Sequence, residues 1–184
     1  DGKIVVAGLA YNASNNDFAI VRYNADGSID ATFGTGGKVT TAIGSNTDIA
    51  NALAIQSDGK IVVAGYSINA SSNADFAVAR YNVNGSLDAL ITTAIGSSTD
   101  IANALSIQSD GKIVAAGYSY NGANPADIAL VRYNTDRTLD VTFGTGGKVT
   151  TDIAGGEDWA NALCIQSDGK IVVAGLAYNA SNND

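Results

Sequence analysis

The sixteen residues ANALAIQSDGKIVVAG at 50–65 recur with one or two changes at 102–117 and 160–175, and their second half, DGKIVVAG, also stands at 1–8. Each full copy places Asp-Gly between two apolar runs. This pattern predicts a β-hairpin, because Asp-Gly readily forms a type I′ turn, which needs positive φ at both central residues. The predicted turns are at Asp58-Gly59, Asp110-Gly111 and Asp168-Gly169.

A two-residue turn at Asp58-Gly59 sets the pairing of the two strands, with Ser57 opposite Lys60 and Ile55 opposite Val62. Alternate pairs share a face of the hairpin. The two predicted faces carry Leu53, Ile55, Val62 and Ala64 on one side, and Ala50, Ala52, Ala54, Ile61, Val63 and Gly65 on the other. Because both faces are apolar, we expect the hairpin to lie inside a stack of sheets.

The amino-acid composition favours an all-β protein and argues against several functional classes. The 184 residues include 21 glycines and abundant β-branched residues, but a single glutamate and no methionine, which favours strands and turns over helices. The net charge of −8 argues against nucleic-acid binding. No apolar run has the roughly 20 residues that a membrane-spanning helix needs. The single cysteine, Cys164, excludes an intrachain disulfide.

Internal repetition organises the whole chain. The Asp-Gly-Lys phrase begins at residues 1, 58, 110 and 168, and residues 168–184 repeat residues 1–17 letter for letter. The sequence starts in mid-phrase, so we expect it to be a piece of a longer array. The predicted units are repeat 1 at 1–57, repeat 2 at 58–109, repeat 3 at 110–167 and a partial repeat at 168–184.

Each repeat reads as four short strands. The hairpin supplies two, a segment such as DFAIVRYN at 17–24 supplies the third, and KVTTAI at 38–43 supplies the fourth. We therefore predict an all-β array of four-stranded antiparallel blades, similar to a β-propeller, that is open or completed by other copies. Repeat 2 has only ALITT at 89–93 where repeat 1 has ATFGTGGKVTT at 31–41, and we expect its strands to survive this loss.

These phrases resemble the delta-60 repeat family, which occurs in tandem in bacterial proteins that are often secreted or on the surface. The resemblance rests on LDVTFGTGGKVTTDI at 139–153, ANALCIQSDGKIVVAG at 160–175 and DFAVARYNVNGSLD at 75–88, and it recurs along the whole chain. It implies a β-propeller-like fold, and it supplies no established activity or catalytic residues. The short connector at 89–93 and the triplet 136–138, which lacks a glycine, depart from the pattern.

Catalysis is not expected from this sequence. There is no histidine, which removes Ser-His-Asp and Cys-His catalysis and the usual zinc sites. Nearly every aspartate stands at a repeated position, whereas a catalytic site is normally a unique constellation. We therefore expect a protein that is not an enzyme and that has no organic cofactor.

Calcium is the one ligand that a local motif suggests. The segment NADGSID at 24–30 offers oxygen donors around Gly27, in the manner of a small calcium loop. The candidate ligands are Asn24, Asp26, Ser28 and Asp30. The alternative is a β-turn whose aspartate caps its own backbone. Copies of the segment in the other repeats lose one charge or the glycine.

Three arginines, Arg22, Arg80 and Arg132, end the third strand of their repeats. Each stands five residues after an aspartate, so that the two side chains point to opposite faces of one strand and cannot pair there. We predict that each arginine meets an aspartate of a neighbouring strand or blade, such as Asp48, Asp100 or Asp158, and that the pairs form a structural girdle.

The function predicted from this pattern is an extracellular or cell-surface scaffold with a structural or adhesive role, which forms filaments or surface fibres. Its expected partners are other copies of itself or further repeats of the same chain, which complete the partial hairpin at 1–8. The alternative is a closed β-propeller that binds a carbohydrate or protein ligand.

Overall fold

The computed structural model describes residues 1–153 and 155–178 of the chain. This part of the chain contains thirteen β-strands joined by turns, as predicted, and it contains no helix that is long and apolar enough to cross a membrane. The strands are β1 (Ile4–Tyr11), β2 (Asn16–Tyr23), β3 (Lys38–Thr41), β4 (Asp48–Ile55), β5 (Ile61–Ile68), β6 (Ala74–Tyr81), β7 (Leu87–Thr93), β8 (Asp100–Ile107), β9 (Ile113–Tyr120), β10 (Ala126–Tyr133), β11 (Lys148–Thr151), β12 (Asp158–Ile165) and β13 (Ile171–Ala177).

The strands form four antiparallel sheets, which we call blades. Blade 2 has the order β4-β5-β6-β7 and blade 3 the order β8-β9-β10-β11, so both are the predicted four-stranded units. Blade 1 consists of β1-β2-β3, and blade 4 consists of β12-β13 in the described part of the chain. The sequence repeats divide each hairpin between two units, whereas a blade keeps the hairpin whole. Residues 179–184 of the predicted partial repeat lie outside the described residues.

The blades stack face to face through apolar cores. Phe18 and Ile20 of blade 1 pack with Ile61 and Val63 of blade 2 in one cluster. The opposite face of the same hairpin contributes Val62 and Ala64 to a second cluster, with Ile113 and Ala115 of blade 3. A third cluster joins blade 3 to blade 4 through Val114, Ala116, Ala160 and Leu163. The prediction of a hairpin buried on both faces is therefore confirmed for the middle of the array.

The predicted pairing within the hairpin is wrong by one residue. Ile55 lies opposite Ile61 and not Val62, and Leu53 lies opposite Val63. The connection is a turn closed by the bond from Gly59 N to Gln56 O, in which only Gly59 has a positive φ of 81°. Such a three-residue loop with a left-handed glycine fits Ser-Asp-Gly as well as a type I′ turn does. The shift places Ile61 and Val63 on the same face as Leu53 and Ile55.

A β-bulge interrupts the first strand of each complete hairpin. In blade 2, Ala50 pairs with Gly65 and Ala52 with Ala64, so Asn51 is the extra residue. Its side-chain nitrogen donates to Ala102 O of blade 3 at 2.9 Å. Asn103 makes the same bond to Ala160 O of blade 4 at 3.0 Å. The bulge thus turns a polar side chain out of an apolar strand and ties neighbouring blades together.

The short connector of repeat 2 changes the outer edge of its blade. Strand β7 pairs with β6 from Leu87 to Thr93, whereas β3 and β11 have only four residues each and follow a glycine-rich turn. The prediction that the strand survives the loss is confirmed. The loss also removes the counterpart of Phe33 and Phe143, so that the outer edge of blade 2 lacks an aromatic ring at this position.

Candidate functional site

Each repeat holds a cluster of one aspartate and two basic residues at the end of its third strand. In blade 1, the Oδ2 atom of Asp30 accepts hydrogen bonds from Lys3 Nζ at 2.6 Å and Arg22 Nε at 2.7 Å. The other two clusters are Asp88 with Lys60 and Arg80, and Asp140 with Lys112 and Arg132. Asp88 is also approached by Arg137 of blade 3, whose Nη1 lies 3.7 Å from its Oδ2. The bonds from Lys3 and Thr32 hold the pKa of Asp30 far below its ordinary value.

The prediction that the arginines pair with Asp48, Asp100 or Asp158 is therefore wrong. The turn at 24–28 folds the chain back so that Tyr23 bridges Ile29, which sets Asp30 beside Arg22. Asp48 is instead fully buried, and its Oδ2 accepts a hydrogen bond from Ile43 N at 2.7 Å. Asp100 and Asp158 bind Ile95 N and Ile153 N in the same way. These aspartates therefore fix the connectors that enter the first strand of each blade.

The arginines nevertheless connect blades, through main-chain carbonyls. Arg22 Nη1 donates to Val83 O of blade 2 at 2.6 Å, and its guanidinium lies 4.5 Å from the centre of the Phe33 ring. Arg80 Nη1 reaches Thr135 O of blade 3 at the longer distance of 3.3 Å. Arg22 is the better anchored of the two, because it has a shorter bond and a ring beneath it.

The proposed calcium ligands at 24–30 serve other bonds in the structure. Asp26 accepts hydrogen bonds from the Ser28 nitrogen and hydroxyl at 2.9 and 2.6 Å, as expected for a capped β-turn. Asn24 Oδ1 accepts from Lys3 Nζ, and Asp30 is neutralised by two cations. The geometry favours the turn, while calcium binding at 24–30 stays a prediction. The carboxylates that do converge in the described residues are Asp127, Asp152 and Asp158.

An aromatic pocket lies where blade 3 meets blade 4. Its volume is about 520 Å³, and Pro125, Glu157, Trp159, Leu176 and Tyr178 line it. The Trp159 ring stacks on Tyr118, with centres 5.0 Å apart and planes inclined by 22°. The indole nitrogen of Trp159 is buried and has no hydrogen-bond partner in the described part of the chain.

The polar side of this pocket is formed by Glu157. Its Oε1 accepts a hydrogen bond from the Tyr120 hydroxyl at 3.0 Å. Burial, followed by this bond to a carboxylate, raises the pKa of Tyr120 to about 12. The pocket therefore combines apolar ring surface with a carboxylate, which suits a ligand that has both an apolar face and hydroxyl groups.

Sequence reasoning missed the residues that make this pocket distinctive. Pro125, Glu157 and Trp159 are the only proline, glutamate and tryptophan of the chain. The positions of Glu157 and Trp159 are occupied in the other repeats by threonine and isoleucine. This departure from the repeat is visible in the sequence, but only the fold shows that the three residues meet.

Comparison with known proteins identifies a family and no activity. A protein-family model described as "Domain of unknown function (DUF5122) beta-propeller" matches residues 1–33, 56–90, 108–143 and 166–184, which is more than half of the chain. No curated protein matches the sequence. The matched segments contain the Asp-Gly turns and the arginine–aspartate clusters of the stacked blades. The chain thus belongs to the beta-propeller family that is described as a domain of unknown function (DUF5122).

Proposed function

We propose that the chain is part of a structural array that grows by adding blades of its own type. The observation that carries this proposal is the free edge of β1. In the described part of the chain, β1 pairs with β2 alone, whereas β5 and β9 each have a second neighbour, β4 or β8. An unpaired strand edge is a template for another strand.

The side chains of β1 support the same conclusion. Ile4 is 51% exposed and Val6 is 50% exposed. Their equivalents in blade 2, Ile61 and Val63, are 1% and 0% exposed. Apolar residues that are core residues in one blade are thus uncovered in another, and either further repeats of the same chain or a second copy would cover them.

The register of blade 4 supports a particular kind of partner strand for this edge. Residues 171–178 have the same sequence as residues 4–11, and in blade 4 they pair with β12. The same register on β1 of another copy would place Leu163 opposite Val6 and Ile165 opposite Ile4. A strand of the β12 type therefore matches the edge of β1 in sequence and register. Because β12 is paired with β13 in its own chain, it can reach β1 of another copy only if β1 replaces β13 as its partner. Such a head-to-tail exchange extends into a filament unless its rotation closes a ring.

The remaining parts of the proposal rest on the sequence. We assign the repeats to the delta-60 type, and we place the protein outside the cell or on its surface, with a scaffold or adhesive role, because the resemblance implies such proteins. We propose no catalytic activity, since histidine is absent and the aspartates serve repeated structural bonds. The expected partners are copies of the same chain or further repeats.

Electron microscopy of the purified chain tests the proposal. At high protein concentration we expect filaments or open stacks whose length grows with concentration. A matched variant, Val6→Asp, places a charge on the free edge and should remain monomeric with an unchanged circular dichroism spectrum. Discrete closed rings would contradict the filament, and a monomer at every concentration would contradict assembly by copies altogether.

The aromatic pocket favours a second function, the binding of a carbohydrate. Aromatic rings stack on the apolar faces of sugars, while the Glu157 carboxylate offers an acceptor to hydroxyl groups. We expect a glycan array to show binding that the variant Trp159→Ile abolishes, since isoleucine occupies this position at Ile49 and Ile101 and the variant should fold. Equal glycan binding by the variant, or no binding by the parent, would reject this function.

A further inference from the structure

Three carboxylates meet at the junction of blades 3 and 4. Asp127 is the second residue of β10, Asp158 is the first residue of β12, and Asp152 follows β11 directly. One oxygen from each lies within 4.8 Å of the others. Three negative charges at this separation repel one another unless a proton or a cation lies among them.

Asp158 is the buried member of this group. Its side chain is fully buried, and its Oδ2 accepts a hydrogen bond from Ile153 N at 2.6 Å. The other oxygen, Oδ1, is buried and receives no hydrogen bond in the described part of the chain. A buried carboxylate oxygen without a partner is costly, so the fold is more stable when something binds it.

The buried oxygen by itself does not distinguish this junction, because Asp48 Oδ1 at the first junction also has no hydrogen-bond partner in the described part of the chain. Two other features do. Asp152 stands where the earlier repeats have Ala42 and Ala94, so only the third junction has a third carboxylate. In addition, Asp17 and Asp75, the counterparts of Asp127, each accept a hydrogen bond from an asparagine of the preceding loop at 2.8 or 2.9 Å.

No such bond to Asp127 occurs among the described residues. Within the described part of the chain, Asp127 therefore lacks the hydrogen-bond partner that its counterparts have.

We propose that Asp127, Asp152 and Asp158 bind a calcium ion that joins blade 3 to blade 4. Carboxylate oxygens are the ligands that calcium prefers, and calcium accepts irregular coordination completed by water. Asp152 is exposed and Asp158 is buried, so the group offers both a route from solvent and a fixed inner ligand. Magnesium fits less well, because it demands near-ideal octahedral geometry and keeps most of its water.

Calcium titration of the full 184-residue chain by isothermal calorimetry, with terbium luminescence as a second probe, tests the site. The decisive variant is Asp152→Ala, which restores the residue found at Ala42 and Ala94 and therefore should fold. The control is Asp26→Ala, which removes the carboxylate of the loop at 24–30. Circular dichroism and the thermal midpoint in chelator establish that each variant is folded.

We expect the parent chain and Asp26→Ala to bind one calcium ion with the same affinity and to gain thermal stability with added calcium. Asp152→Ala should bind at least about tenfold more weakly, since affinity follows the number of charged ligands. The proposal is overturned if the parent binds no calcium at millimolar concentration, in which case a shared proton balances the group. Equal binding by Asp152→Ala, or loss of binding in Asp26→Ala alone, would also overturn it.

Discussion

Gly65 of β5 packs so closely against the carbonyl oxygen of Ile49 on β4 that a β-carbon at Gly65 would overlap that oxygen. Gly117 has the same relationship with Ile101, and Gly175 with Trp159. The contact occurs where the bulge at Asn51 brings the two strands together. The glycine that ends each Val-Ala-Gly or Ala-Ala-Gly phrase is thus a condition for pairing with the first strand of the blade.

The first prediction concerns this glycine. Gly65→Ala should lower the free energy of unfolding by roughly 2–3 kcal/mol, because the new methyl group forces the paired strands apart in a packed core. Urea denaturation followed by tryptophan fluorescence and circular dichroism measures the loss. Gly27→Ala is a control for the general cost of losing a glycine, since Gly27 has positive φ but open space around it. A smaller loss at Gly65 than at Gly27 would contradict the packing argument.

The second prediction concerns the bond that Asn51 makes to the next blade. Asn51→Ala should cost about 1 kcal/mol, because it removes a hydrogen bond and leaves Ala102 O without that partner. Asn161 occupies the same position in blade 4, is exposed, and has no following blade in the described chain. Asn161→Ala should therefore leave the stability of the monomer unchanged. Equal effects of the two substitutions on the urea midpoint would show that the link between blades is unimportant.

The third prediction compares two arginines, Arg22 and Arg80, that occupy equivalent positions before a Tyr-Asn pair. Arg22→Gln should cost about 3 kcal/mol, since it removes a bond to buried Asp30, a 2.6 Å bond to Val83 O and the contact with Phe33. Arg80→Gln should cost about half as much, because its bond to the next blade is longer and no ring lies beneath it. Thermal and urea unfolding of both variants show which substitution costs more stability. A larger loss for Arg80→Gln than for Arg22→Gln would refute this explanation.

The fourth prediction follows from two opposite pKa shifts. The pKa values of Asp30, Asp88 and Asp140 are lowered, for Asp30 first by the bond from Lys3, so their ionised forms stabilise the fold above the ordinary aspartate value of 3.8. That stability is lost as the pH falls through the lowered values. Burial raises the pKa of Asp100, so ionised Asp100 destabilises the fold at neutral pH.

Stability in the presence of chelator should therefore rise as the pH falls from 7 toward the ordinary aspartate range near 4, and then decline below it. Asp100→Asn should reduce the rise and leave the decline in place. Unfolding free energies measured in urea from pH 7 to pH 3 check both the rise and the decline in stability. A stability that falls steadily from pH 7 downward would disagree with the raised pKa of Asp100.

The blades could be predicted from the sequence because their signals are local and repeated. Asp-Gly between apolar runs marks each hairpin, and small apolar residues on both strands indicate burial on two faces. The pairing within the hairpin could not be settled in this way. Ser57, Asp58 and Gly59 suit a three-residue loop and a two-residue turn alike, and an extra residue such as Asn51 is invisible to a strict alternation of faces.

The polar contacts were predicted less well, since they depend on how each turn folds the chain back onto the preceding strand. Arg22 meets Asp30 because a turn of five residues folds one segment onto the next, and the eight-residue spacing is readable only when that turn is recognised. Asp127, Asp152 and Asp158 come from separate strands and connectors, so only the stacking of blades brings them together. Their one sequence signal is the replacement of alanine by Asp152.

Gly8 gives the most direct test of the central claim, that β1 receives a strand of the β12 type. It is the equivalent of Gly65, yet no described atom lies within 4 Å of a β-carbon placed there. Gly8→Ala should leave the circular dichroism and unfolding of the monomer unchanged. Sedimentation velocity across a concentration series should then show assembly of the parent chain and a monomeric Gly8→Ala variant. Assembly of the variant equal to that of the parent would contradict the claim.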